Sequence, residues 1–114
     1  MIDWSKLIGV FHVSVVPTFQ KNRCVHMQVF LIPNEGNDHD NVQEITLARD
    51  PGDGSIPAQV ELWLMEQGAA PTWVWGWDTT LGPWGASGYY GEFSLTPGYK
   101  ECRDSGAYNF ESVV

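Results

Sequence analysis

Two segments rich in Val, Phe and Ile, Leu7 to Val16 and Cys24 to Ile32, are separated only by Pro17-Thr-Phe-Gln-Lys-Asn-Arg23. Extended runs joined by so short a polar stretch predict a β-hairpin. Alternation then sorts the side chains. Leu7, Phe11, Val13 and Val15 fall on one face, and Val25, Met27, Val29 and Leu31 form a matching apolar set on the second run. Both sets share one buried side only if paired residue numbers have an even sum. An odd register would set that apolar row beside His26 and Gln28. The reverse face collects Ile8, Val10, His12, Ser14 and Val16 with Cys24, His26, Gln28, Phe30 and Ile32. A turn centred near Phe19 or Gln20 places His12 opposite or diagonal to His26, within reach of long side chains.

Further strands are expected at Val42 to Arg49, Thr72 to Asp78, Tyr89 to Thr96 and Ala107 to Ser112. Asp50-Pro-Gly-Asp-Gly54 supplies a turn after the first of these. Residues 56–67 carry two periods at once. Val60, Leu62 and Leu64 alternate as in a strand, whereas Ile56, Val60, Trp63, Leu64 and Gln67 suit a short helix with Ser55 as N-cap and Gly68 as its end. The strand is the expectation and the helix its alternative. Strand after strand with turns between predicts a mainly β fold, an antiparallel sandwich or barrel of about six to seven strands. A chain of 114 residues leaves room for a single domain over 1–114.

Charge narrows the partners. The formal net charge is −8, and Glu35, Asp38, Asp40, Glu44, Asp50, Asp53, Glu61 and Glu66 are opposed within residues 34–66 only by Arg49. Direct nucleic-acid binding needs cations that displace counterions, so it is disfavoured. A basic protein partner fits such a segment, and solubility alone also accounts for it. Neither a signal-like start nor a long apolar run is present, so a cytoplasmic protein without membrane association is expected. Cys24 and Cys102 would stay reduced there. No cofactor is expected, and the uncovered edges of a sheet make a homodimer one ordinary outcome.

The chemistry-bearing candidates form three groups. The aromatic stretch from Thr72 to Phe93 places Trp73, Trp75 and Trp77 on one face of a strand, followed by Trp84, Tyr89 and Tyr90 among glycines. Such rings combine apolar area with a hydrogen-bonding edge and suit a saccharide or a small, partly apolar ligand. This binding reading leads, with Trp84, Tyr89 and Tyr90 expected at the ligand, whereas the strand tryptophans are expected first as core and second as ligand platform. The second reading is an acidic interaction module working through residues 34–66, such as an inhibitor, an immunity-type protein or a mimic of nucleic-acid charge. The third is an enzyme or metal site built on His12, His26 and Cys24. It lacks the ligand count and compact spacing of known metal centres.

Overall fold

A computed structural model describes residues 1–34, 41–81 and 86–99. Five strands, β1 (Gly9–Gln20), β2 (Arg23–Pro33), β3 (Gln43–Ala48), β4 (Ala69–Leu81) and β5 (Ala86–Leu95), form one sheet in the order β3-β2-β1-β5-β4. All four neighbouring pairs are antiparallel. One helix, α1 (Ile56–Glu66), joins β3 to β4, and 3-10 turns lie at Trp4–Leu7 and Pro51–Asp53. The fold is thus mainly β. Among the described residues it is one sheet covered on one side by a helix, where a sandwich or barrel of six to seven strands was expected. The strand anticipated at 107–112 falls outside those residues. No helix among them is long and apolar enough to cross a membrane.

The first hairpin keeps the expected parity and moves the expected turn. Val13 faces Leu31 and Val15 faces Val29, so the apolar sets of both strands share one side. Phe11, Val13, Val15, Met27, Val29 and Leu31 are all fully buried there. The strands continue past Pro17 to a two-residue turn at Lys21-Asn22, both with positive φ, the conformation that matches strand twist. Pro17 is tolerated because pairing between β1 and β5 ends at Val15 and Tyr89, leaving β1 without a second neighbour among the described residues beyond that point. A bulge near Thr18 and Phe19 shifts the last pairs, bringing Cys24 opposite Phe19.

Residues 56–66 form a helix, not the expected strand, and local chemistry explains the outcome. Ser55 Oγ accepts from the Ala58 amide at 3.2 Å, Pro57 occupies the first turn, and Gly68 at φ +96 takes the left-handed position after the end. A strand would leave those signals unused, each cap being typically about 1 kcal/mol. The helical period also assigns the apolar residues well. Val60 and Leu64 are fully buried against the sheet together with Leu7, Phe93, Leu95 and Tyr99. Each contributes roughly 1.5–3 kcal/mol on burial. Because β3 ends level with His26 and β4 begins level with Gly9 and Leu95, α1 crosses the sheet diagonally.

A buried amide fixes where that diagonal starts. Gln59 is 8% exposed; its Oε1 accepts from Arg49 Nη1 and from the Asp50 amide, both at 2.9 Å. Its Nε2 donates to the Ala48 carbonyl at 2.7 Å. One side chain therefore satisfies the end of β3 and ties it to the first turn of α1.

Candidate functional site

The cross-sheet register decides which aromatic residues can act together. Val15 pairs with Tyr89, and Tyr89 with Trp77, so these lie in one row on the side that carries the core. Trp77 and Tyr89 meet edge to face with centroids 4.8 Å apart. Trp75 packs on Phe93 at 5.5 Å, and its ring sits over Gly91, where a Cβ would come within 3.0 Å of it. Trp75 and Tyr89 are half-buried against the core, whereas Trp77 is 53% exposed. The helix covers the lower part of this side and leaves the corner at Trp77 open. Phe19, near the tip of the first hairpin, is another exposed ring at 57%. Sequence reasoning passed over Phe19 because it was assigned to the turn.

Tyr90 separates from this corner. Tyr90 pairs with Ser14 and Gly76 on the reverse face, with ring atoms 2.6–2.7 Å from where a Cβ on Gly76 would sit. Successive strand residues alternate, so Tyr89 and Tyr90 cannot serve one ligand on one face. Of the expected common face of Trp73, Trp75 and Trp77, Trp75 and Trp77 share the side that carries the core, and the Trp73 side chain falls outside what the structure describes. Register irregularities flank Trp73, which pairs with Glu92, and each breaks the period of two. Trp84 lies outside the described residues.

The register also takes the histidine and cysteine set apart. His12 pairs with Ile32 and His26 with Thr18, so their positions are separated by about 20 Å along the strands. The placement of the turn at Lys21-Asn22, later than expected, is the cause. His12 Nε2 contacts Asn34 Oδ1 at 3.0 Å, and Cys24 Sγ points to the His26 carbonyl at 3.5 Å, not to its ring. His26 Nδ1 is buried with no hydrogen-bond partner. Among the described residues no group of three or more His, Cys, Asp or Glu is arranged to hold a metal.

No family model, curated protein or solved structure matches this chain.

Two grooves open among the described residues. The larger of the two, about 570 Å³, is lined by residues that include Lys6, Ile8, Val10, Asn34 and Asn41. The smaller, about 200 Å³, lies between β3 and α1. Along a strand Leu62 and Trp63 would point to opposite faces, so the expected strand hides this lining. At helical spacing they join Gln59 on one side of α1.

Proposed function

We propose that this protein is a small binding module whose ligand stacks at the aromatic corner formed by Trp75, Trp77 and Tyr89. The observation that carries the reading is Trp77: a half-exposed indole braced edge-on by Tyr89, on strands that pair through both residues. A ring so held loses little freedom on binding, which favours flat, partly apolar ligands. The polar edges of the indole and phenol suit a saccharide or a small heterocycle bearing hydrogen-bonding groups. Tyr90 and the histidines take no part in this platform, because they lie on the reverse face or away from the corner.

Tryptophan emission tests the reading. Titration with a panel of oligosaccharides and flat heterocycles is expected to shift or quench the signal for at least one class. Trp77→Ala should abolish that response while leaving the unfolding free energy within about 1 kcal/mol, as for an exposed side chain. Emission that stays constant across the panel, or a Trp77→Ala protein that responds as the parent does, rejects the assignment.

A further inference from the structure

The groove between β3 and α1 combines three features that arise independently. Gln59, Leu62, Trp63 and Glu66 follow the spacing i, i+3, i+4, i+7, so they form one stripe of α1 beside the buried stripe of Val60 and Leu64. That stripe faces Leu47 and Ala48 of β3, and Asp53 completes the wall. Asp53 and Glu66 are both exposed, while Leu47, Leu62 and Trp63 are half-buried. The groove is apolar within and acidic at its rim.

The second feature is the strand edge itself. Among the described residues β3 has a hydrogen-bonding neighbour on one side only, as does β4 at the opposite edge. The two edges are built differently. β4 carries Pro71 and three register irregularities, devices that discourage pairing with another chain. β3 pairs with β2 without interruption from Gln43 to Ala48 and contains neither proline nor lysine. One edge is guarded and the other is regular.

Third, both ends of the β3 edge are fixed. Gln43 Oε1 accepts from the Asp3 amide and its Nε2 donates to the Asp3 carbonyl at 2.8 Å. At the other end the Ala48 carbonyl is held by Gln59. Trp4 rests on Trp63 at 5.5 Å, which bounds the helix side. The segment between these anchors is short, straight and held in place.

We infer that the β3–α1 groove receives an extended segment of a partner protein that carries both basic and apolar residues on each of its two faces and adds as a strand along β3. Backbone pairing along the β3 edge between its two anchors supplies the common affinity, and side chains of one parity drop into the groove. Apolar residues of that parity rest on Leu47 and Leu62. Arginine or lysine heads reach the Asp53 and Glu66 carboxylates, and the Trp63 ring offers a face to the cation. The residues of opposite parity project on the side of the exposed Glu44, so the complementary charge extends to both faces of the added strand. An acidic segment of a partner would meet like charge at each of these points. The inference does not rest on the ligand reading of the Trp77 corner, which occupies a different part of the sheet.

The test uses the full chain and a fluorescein-labelled Arg-Arg-Val-Val-Arg-Arg peptide, which sets valine between arginines on each face, followed by anisotropy and by amide NMR at about 0.15 M salt, where distant charges are screened. Saturable binding is expected, with shifts concentrated in β3 and on the Gln59 to Glu66 stripe. The double variant Asp53→Asn/Glu66→Gln should weaken binding about tenfold, as expected for two partly exposed ion pairs lost together. Glu61→Gln removes one charge outside the stripe and should change it little. A peptide with alternate amides N-methylated should not bind. Absence of saturable binding, equal binding of the N-methylated peptide, or an equal loss in Glu61→Gln overturns the proposal. So do β3 shifts that follow protein concentration without peptide, which would assign the edge to a second copy.

Discussion

At single positions, two contacts hold more structure than their size suggests. Gln59 is bonded at both ends of its amide, and replacing it with Leu would leave the Ala48 carbonyl, the Asp50 amide and one Arg49 nitrogen without this partner. Each buried group left unsatisfied costs about 1–3 kcal/mol, and partial hydration at the edge offsets some of it. Gln59→Leu is therefore expected to lower the unfolding free energy by roughly 2–3 kcal/mol in urea titration. Gly76 depends on the opposite kind of constraint, close approach. A Cβ there would meet Tyr90 Cζ at 2.6 Å, so the ring or the strand must move, at a cost of about 1–3 kcal/mol for Gly76→Ala. If the ring is the cause, Gly76→Ala should cost much less in a Tyr90→Ala background. A double-mutant cycle measures that difference, and additivity would show that Gly76 is needed for another reason.

Among the elements, α1 shows what is legible in a sequence and what is not. Its boundaries were readable from Ser55 and Gly68, because caps are local chemistry. Its identity was not, since Val60 and Leu64 satisfy both the strand and the helical period and only packing against the sheet chooses between them. Ser55→Ala should cost about 1 kcal/mol by removing the bond to the Ala58 amide. Gly68→Ala should cost more, because φ is +96 and the new Cβ would lie 3.0 Å from the Cβ and carbonyl oxygen of Tyr99. Thermal or urea unfolding of the two variants, ranked against each other, checks the order. In the first hairpin the buried parity was legible because Val13, Val15, Val29 and Leu31 admit only one side. The turn was not, since Lys21-Asn22 lacks the glycine that marks most two-residue turns, and that displacement separated His12 from His26. The irregular pairing around Trp73 was not legible for a related reason: it follows from backbone geometry that side-chain identity does not encode.

For the molecule as a whole, charge and coverage are unevenly divided, and the division makes a prediction of definite sign. The net charge of −8 includes Glu44, Asp53, Glu61 and Glu66 around β3 and α1, while Arg49, in the same segment, donates to the neutral oxygens of Gln59, Gly54 and Asp50's backbone. Its guanidinium is thus spent on structure at the end of β3, and the carboxylates nearby keep their mutual repulsion. Self-repulsion of this kind opposes the compact state and is relieved by counterions. At about 0.15 M ionic strength the screening length is already near 8 Å, so most of the relief should come between low salt and that point. Thermal unfolding followed from about 10 mM to about 150 mM sodium chloride is expected to move upward by a few degrees, then level off. A fall over the same range would mean that attractive pairs outweigh the repulsion, and the acidic rim of the β3–α1 groove would then be neutralised from within the chain. A rise leaves that rim available to a cationic partner, with the aromatic corner free to act separately at the other end of the sheet.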